Sequence, residues 1–369
     1  MERLNELTLE TNDTSSSIEA ISEMRQLTKL GINGIQDNDM RQIGMMSQLT
    51  ELDIERCDIS GEGIKFLIVM PQLTSLNGGY NYLQCGDAKL ISEMSKLTKL
   101  DINTNEIGTE GAKYISTLNQ LTELDIGNNN ILSEGAKFIR NLKNLVKLNV
   151  ERNNIGDEGA NYISEMKQLT ALDIGFNMFG FEGIKAISQL NHLIELSIQG
   201  NEITINGVKL ITEKKNLTSL NLGNIFYDTK TPELSQLVSQ MHQLTTLDIE
   251  NNNIGPEVAN LLAEMKNLKH LNIAFNNIEK EGLSHITQLT QLTSLNVCGN
   301  QIDDEGAKIV SSMKQLLKLN IEENFLNEGG CETIIEMPQL TQLYISSNRI
   351  GEKQVEMICG KKNLRDIRI

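Results

Sequence analysis

The side chains best suited to acid–base chemistry are carboxylates, because the chain has 49 Asp and Glu against 33 Lys and Arg. Many of them recur at one position of a repeated pattern. An acid–base pair needs two carboxyl groups in different environments, whereas this column repeats one environment along the chain. We therefore interpret the column as a solvated polar surface and predict no catalytic pair. It reads Asp53, Asn77, Asp101, Asp125, Asn149, Asp173, Ser197, Asn221, Asp248, Asn272, Asn296, Asn320 and Tyr344.

Histidine and cysteine form no recognisable site either. The four His follow no metalloprotease spacing, and the sequence has neither a nucleophile elbow nor a glycine-rich phosphate loop. The five Cys are an odd number without paired spacing, which predicts neither a disulfide framework nor a zinc site. We predict a protein that is not an enzyme, binds no cofactor or metal, and occupies a reducing, cytoplasmic compartment.

Composition argues against several other classes of protein. The formal charge of −16 argues against nucleic-acid binding, because phosphate contacts need clustered Lys and Arg. No run of about 20 apolar residues could cross a membrane. The first residues, MERLNELTLE, lack the basic start and apolar stretch of a signal peptide. With no Trp, six Tyr and eight Phe, the core must be aliphatic, which is ordinary for a repeat protein.

The elements that carry these side chains come from one repeated unit. The pattern L-x-x-L-x-I-x-x-N recurs every 24 residues from Leu97 to Leu217, and again from Leu244 to Leu364. Steps of 22 to 24 residues precede it from Leu4. About 15 units therefore cover the chain. This predicts a single domain over 1–369, with an irregular 27-residue unit at 217–243.

The first half of each unit predicts a strand and a turn. In LDIGNNNI, Leu124 and Ile126 alternate with other residues at the period of a short strand. Asn129 follows at the turn, where its amide can bond backbone groups of neighbouring units, so an asparagine ladder is expected. Phe179 and Tyr227 replace the buried Ile of their units and are predicted core residues. Ladder positions without Asn are Ile35, Cys57 (predicted to be a small buried substitute) and Ile225.

The second half of each unit predicts a helix of about ten residues, because Ala112, Ile115 and Leu118 share one face. The predicted helix N-caps are Thr109, Ser133 and Asp157. One unit cannot bury this face alone, so neighbouring units must stack. Helices need about 10 Å of lateral room and strands about 4.8 Å, so the stack should curve with its strands on the concave side.

These units resemble leucine-rich repeats. The helix halves EIGTEGAKYISTL and NIGDEGANYISEM are similar to the ribonuclease-inhibitor-like branch of that family. The resemblance implies an α/β fold: a right-handed leucine-rich repeat solenoid, or horseshoe, with a parallel β-sheet on its concave face and helices on its convex face. It also implies a protein–protein interaction scaffold. Two narrower roles stay open: a small-GTPase regulator similar to Ran GTPase-activating proteins, and the substrate-recognition part of a ubiquitin-ligase adaptor or effector.

The partner-binding surface is predicted on the concave face and on the loops that follow the strands. The acidic column would attract a protein with a basic surface, or else its short polar residues only solvate the sheet. Aromatic residues and Met at strand ends, above all GFNMFGF at 175–181, are typical of binding hot spots, with tolerated drift as the alternative. The predicted partner-binding residues are Tyr80, Asp101, Asp125, Arg152, Asp173, Phe176, Met178, Phe181, Phe226, Asp248, Phe275 and Tyr344.

The two ends of the array lack the polar capping features that usually protect terminal repeats. The first residues already read as a repeat strand, and the last, NLRDIRI, stop inside one. We expect either that the array continues into a longer protein or that its ends self-associate.

Overall fold

The computed structural model describes residues 4–9, 15–225 and 232–369, and every structural statement below concerns those residues. Short strands alternate with short helices along the chain. They are grouped in two compact units, Met1–Leu193 and Ile194–Ile369, which are described separately. Phe226 and Tyr227 lie outside the described residues, so what the sequence predicts for them stays a prediction.

In the first unit, the strands pair in sequence order as one parallel sheet. Its strands are β1 (Glu6–Leu9), β2 (Lys29–Ile32), β3 (Glu51–Asp53), β4 (Ser75–Asn77), β5 (Lys99–Asp101), β6 (Glu123–Asp125), β7 (Lys147–Asn149) and β8 (Ala171–Asp173). Its helices are α1 (Ser15–Ser22), α2 (Met40–Ile43), α3 (Gly61–Ile64), α4 (Cys85–Ile91), α5 (Gly108–Ile115), α6 (Leu132–Ile139), α7 (Gly156–Ile163) and α8 (Phe181–Ile187).

The second unit repeats this arrangement, again with parallel pairing in sequence order. Its strands are β9 (Glu195–Ser197), β10 (Ser219–Asn221), β11 (Thr246–Asp248), β12 (His270–Asn272), β13 (Ser294–Asn296), β14 (Lys318–Asn320), β15 (Gln342–Tyr344) and β16 (Asp366–Arg368). Its helices are α9 (Ile205–Thr212), α10 (Pro232–Val238), α11 (Pro256–Leu262), α12 (Glu279–Ile286), α13 (Asp304–Ser311), α14 (Glu328–Ile335) and α15 (Glu352–Cys359). Within each unit, the predicted α/β repeat architecture is confirmed.

The core of each repeat lies between its strand and its helix. Leu124 of β6 and Ile126 just after it are buried, and so are Ala112 and Ile115 of α5. Phe179 is also buried, as its replacement of an Ile predicts. Fully burying one such aliphatic side chain contributes about 1.5–3 kcal/mol. Stacking of repeats therefore supplies the core that the shortage of aromatic residues demands.

The predicted asparagine ladder is present. The Asn129 amide nitrogen donates to the carbonyl oxygens of Ile102 (2.8 Å), Ile126 (3.2 Å) and Gly127 (2.9 Å). These bonds satisfy backbone groups of two successive repeats in the dry interior, where an unpaired polar group is costly. The other described ladder residues are Asn81, Asn105, Asn153, Asn177, Asn201, Asn252, Asn276, Asn300, Asn324 and Asn348.

Cys57 takes the ladder position of its repeat and is buried there, as predicted. Its one thiol proton can be donated weakly to the carbonyl oxygen of Ile32 (3.4 Å) or of Glu55 (3.6 Å). Burial raises the pKa of the Cys57 thiol, which keeps it protonated at neutral pH. The side chain is a structural substitute for asparagine.

The helices are shorter than the predicted ten residues. α5 has eight residues and α2 has four. After Ile115, the amides of Thr117 (3.1 Å) and Leu118 (3.0 Å) donate to carbonyl oxygens three residues earlier. This tighter winding ends the α-helix and turns the chain towards the next strand within a 24-residue repeat.

The prediction that Thr109, Ser133 and Asp157 cap their own helices is wrong. Each of them is the second residue of its helix, and the N-caps of α5, α6 and α7 are the buried Ile107, Ile131 and Ile155. The side chains of Thr109, Ser133 and Asp157 reach the following repeat instead. The Asp157 carboxylate accepts from the backbone amides of Gly180 (2.9 Å) and Gly183 (2.8 Å) at the start of α8.

Two other aspartates cap the following repeat in the same way. Asp37 accepts from the amides of Ser60 and Gly63, and Asp304 accepts from the amide of Asn327. Because each carboxylate satisfies free amides at a helix start across a repeat boundary, it stabilises both the helix and the stacking.

Replacing Asp157 with alanine is therefore expected to lower the free energy of unfolding by about 1–2 kcal/mol, the usual cost of losing a helix cap. The matched control is Ser133→Ala, because the Ser133 hydroxyl contacts only the exposed Glu158 side chain. Thermal unfolding of both variants checks this. Equal midpoints for the two would show that the bonds across the repeat boundary contribute nothing.

Candidate functional site

The polar column of the strand face has a structural role that neither sequence-based interpretation included. In the eleven strands whose column residue is Asp or Asn, that side chain accepts from the backbone amide two residues later. The distances are 2.9 Å for Asp101 to Asn103, Asp125 to Gly127 and Asp173 to Gly175, and 3.0 Å for Asp248 to Glu250. This is an Asx turn, in which a short polar side chain replaces a backbone acceptor and ends the strand.

Strand pairing brings the predicted acidic residues of the first unit close together. Asp101 pairs with Asp125, and Asn149 pairs with both Asp125 and Asp173. The second Asp125 carboxyl oxygen accepts from the Asn149 amide at 2.8 Å. Burial, followed by the nearby charges of Asp101 and Asp173, raises the pKa of Asp125 to about 6. The floor of this face is therefore half-buried and carries excess negative charge.

A second column follows each Asx turn and has a left-handed backbone. Its φ angles in the first unit run from +49° at Phe176 to +56° at Arg56. Two arginines of this column lie over the aromatic ring of the next repeat: Arg56 over Tyr80 at 4.9 Å and Arg152 over Phe176 at 4.1 Å. Such cation–π contacts contribute about 0.5–1 kcal/mol at exposed sites and hold the guanidinium groups in place.

Between these two stacks lies an open hollow of about 660 Å³. The residues of its floor are smaller than those at its edges. Asn103 and Gly127 on the floor have the same repeat position as Glu55 and Glu151 at the two edges. Asp125 also lines it. We call this space the floor hollow; it is bounded by Glu55, Arg56, Tyr80, Asn103, Asp125, Gly127, Glu151 and Arg152. A neighbouring hollow of about 610 Å³ lies towards Tyr82 and Asn154.

Large side chains stand along the loops that follow the strands of the first unit. We call this set the strand-end rim: Tyr80, Tyr82, Phe176, Met178 and Phe181. Tyr82 is 73% exposed, Met178 62%, Tyr80 43% and Phe181 40%. The outward projection predicted for Met178 and Phe181 is thus observed, whereas Phe176 is half-buried because the Arg152 guanidinium lies on its ring.

The predicted site residues of the second unit have separate surroundings. The Phe275 ring, 40% exposed, lies against Gly299, where a methyl group would come within 2.4 Å of it. The Tyr344 hydroxyl donates to Asp366 at 2.5 Å, and Arg368 lies over its ring. Burial raises the pKa of Asp248. Phe226 belongs to the residues that are not described.

No group of three or more His, Cys, Asp or Glu in the described part of the chain is arranged to hold a metal ion. Burial raises the pKa of the Cys298 thiol to about 12 and that of Cys331 to about 11, so both are protonated at neutral pH. Among the described residues, no helix has the length and apolar character needed to cross a membrane.

Comparison with known families supports the repeat assignment. A family model described as leucine rich repeat matches residues 119–179 and 290–350. A second leucine rich repeat model matches 47–67, 93–116, 240–259 and 264–286. Together these segments cover more than half of the chain. Neither description names the ribonuclease-inhibitor-like branch, so that finer assignment stays a prediction.

Two of the solved structures that match the chain come from bacteria. An internalin from Listeria monocytogenes is 24% identical, with a TM-score of 0.52, and the match covers 90% of this chain and 88% of that one. A leucine-rich repeat protein from Leptospira interrogans is 21% identical, with a TM-score of 0.50, and the match covers 98% and 100%. At this identity the likeness concerns the fold alone. No curated protein sequence matches the chain.

Proposed function

The chain belongs to the leucine-rich repeat proteins, and we propose that it is a non-enzymatic scaffold that binds a protein partner through the strand face and strand-end rim of its first unit. No specific contact favours the small-GTPase regulator or the ubiquitin-ligase adaptor, so the proposal stays at protein binding. A cytoplasmic location and self-association through the ends stay predictions.

The proposal depends on one observation: two large, exposed side chains of the rim stand on residues with a left-handed backbone. Tyr82 and Met178 have left-handed backbones, with φ of +59° and +58°. At the same position other repeats with positive φ have Asn130, Asn154, Asn253 and Asn277, which tolerate this conformation, and Gln301. For other L-residues it costs roughly 1–2 kcal/mol. Because both side chains are largely exposed, burial within the chain does not offset that cost.

Backbone strain that no packing within the chain offsets is typical of a site used for binding. Exposed aromatic residues and Met supply large contact areas, and interface hot spots are rich in Tyr, Trp and Arg. Tyr80 and Phe176, with Arg56 and Arg152 on their rings, add ordered aromatic and guanidinium surface beside them. The rim is therefore preorganised for a partner at the expense of stability.

The double variant Tyr82→Asn/Met178→Asn tests the proposal. We expect its free energy of unfolding to rise by about 1 kcal/mol, because asparagine relieves the strain at both positions. Its capture of protein partners from an extract of the source cells should be lost. Thermal unfolding and quantitative mass spectrometry of the captured proteins, with wild-type protein in parallel, measure the two effects.

The two readouts must move in opposite directions. Lower stability together with unchanged capture would mean that Tyr82 and Met178 serve the fold, and the proposal would be wrong. A general loss of folding cannot imitate the expected result, because the variant is expected to be the more stable protein.

A further inference from the structure

The floor hollow of the first unit carries an inference about the chemistry of the partner, which rests on the proposed function. We propose that this hollow binds an extended segment of a protein partner and places one Lys or Arg side chain of that segment against Asp125, whose strand neighbour is Asp101.

The dimensions of the hollow suit an extended segment. Arg56 and Arg152 follow β3 and β7, which are four strand steps apart in the sheet. Parallel strands lie about 4.8 Å apart, so the two arginines are separated by about 19 Å across the sheet. An extended chain rises about 3.3 Å per residue, so about six residues span this distance.

The small residues along the floor make room for such a segment. Gly79, Asn103 and Gly127 stand at the position that Glu55 and Glu151 occupy at the two edges. With the longer side chains confined to the edges, a peptide backbone can approach the sheet between them. The Asn103 and Asn128 amides and the Thr104 hydroxyl line the same hollow. They bond one another and Asp101, so only their remaining donor and acceptor sites face the segment.

The charges within the hollow are not evenly matched. Glu55 pairs with Arg56 at 3.5 Å, and Glu151 pairs with Arg152 at 3.2 Å, so both edges are close to neutral. Asp125 on the floor, and Asp101 opposite it on the neighbouring strand, form no ion pair within the described part of the chain. The local excess is therefore negative and lies at the centre of the hollow.

A cation placed by the partner would correct this imbalance. The Asp125 carboxylate is disfavoured by burial and by Asp101 and Asp173, as its raised pKa shows. An ammonium or guanidinium group beside it would favour the charged form and gain a charge-assisted hydrogen bond. The arginines at the edges keep guanidinium N–H groups that can donate to carbonyl oxygens of the segment. The arginines at the edges thus favour carbonyl groups of the peptide, and the carboxylate on the floor favours its basic side chain.

A displayed library of random linear 12-residue peptides, selected on the intact chain at pH 7.5, tests this inference. We expect the selected peptides to share a Lys or Arg at one position, and its replacement by alanine to weaken binding at least tenfold. Asp125→Asn should weaken binding by a similar factor, because asparagine keeps the Asx-turn oxygen and removes the charge, although it also replaces the oxygen that accepts from Asn149 with a donor.

The control is Glu322→Gln in the second unit, which removes a buried charge from the strand face and keeps an oxygen that can accept from Ser346. It should leave peptide affinity unchanged. Selected peptides without a shared basic residue, equal affinity for Asp125→Asn and wild type, or no selected peptide at all would each overturn the inference. Capture of whole proteins that depends on Tyr82 and Met178 would still support the proposed function in those cases.

Affinity should also depend on pH. Below about pH 6 Asp125 is protonated in the free protein, so binding a cation requires release of that proton. We expect peptide affinity to fall by roughly tenfold from pH 7.5 to pH 5.0, and this component to vanish in Asp125→Asn. A profile that is identical in the variant would contradict it. The charged groups facing Asp125 are Asp101, Asp173, Glu55, Arg56, Glu151 and Arg152.

Discussion

Replacing Asn153 with alanine is expected to lower the free energy of unfolding by about 3–5 kcal/mol, since it leaves several buried backbone groups without partners. The Asn153 amide nitrogen donates to the carbonyl oxygens of Ile126 (2.9 Å), Val150 (3.1 Å) and Glu151 (3.1 Å). Its oxygen accepts from the backbone amides of Asn129 (3.0 Å) and Ile131 (3.2 Å). One side chain therefore joins two successive repeats.

Denaturant unfolding measures this loss, with Asn141→Ala as the control because Asn141 is exposed at the end of a helix. Asn153→Cys should cost less than alanine, because Cys57 shows that a thiol at this position lies within reach of backbone carbonyl oxygens and can donate its one proton to one of them. If the alanine variant unfolded like the Asn141 control, the ladder would not be the element that joins the repeats.

The second large effect concerns binding. Replacing Phe176, Met178 and Phe181 with serine is expected to weaken partner capture by at least a hundredfold and to change stability by less than about 1 kcal/mol. Met178 and Phe181 are exposed, and Phe176 packs mainly under the Arg152 guanidinium. Little of the core is therefore removed. Capture of the partner on immobilised variants and thermal unfolding measure the two quantities.

Two controls separate contact from packing in this experiment. Phe325→Ser removes an exposed aromatic residue of the second unit that also lies under an arginine, and it should leave capture intact. Phe179→Ser removes the neighbouring buried ring and should cost about 3–5 kcal/mol. A loss of that size in the triple variant would place the rim residues in the core and contradict the proposed surface.

The repeat pattern predicts the parts of the fold that depend on local periodicity. Leu124 and Ile126 are buried in a parallel strand, Asn129 belongs to the ladder and Phe179 is core, all as expected. These predictions succeed because each residue is constrained by neighbours within its own repeat and by identical neighbours in the next.

The repeat pattern does not by itself predict contacts between residues of different types in successive repeats. Asp157 caps the helix of the following repeat, whereas its place in the sequence predicts a cap for its own helix, because a capping residue normally stands just before the helix it serves. Residue spacing can nevertheless predict contacts of this kind. Arg152 and Phe176, like Arg56 and Tyr80, are 24 residues apart, which is one repeat step and predicts contact between their side chains.

The Asx turns and the left-handed column were missed for a different reason. Asp101 and Asp125 were interpreted as surface charge, although Asp and Asn at the end of a strand often bond the amide two residues later. The backbone φ of Tyr82 and Met178 cannot be inferred from bulky residue types that rarely adopt positive φ. Only equivalent residues such as Asn130 and Asn154 indicate this conformation, because asparagine at a repeated position is typical of a left-handed backbone.

Hydrogen–deuterium exchange on the intact chain, with and without a peptide selected on the wild-type protein, tests the central claim most directly. The claim is that the strand face and strand-end rim of the first unit form the binding surface. We predict slower exchange on peptide binding in the loops around residues 79–82, 103–106, 127–130, 151–154 and 175–181. Slower exchange confined to the outer helices, or to the second unit, would contradict it.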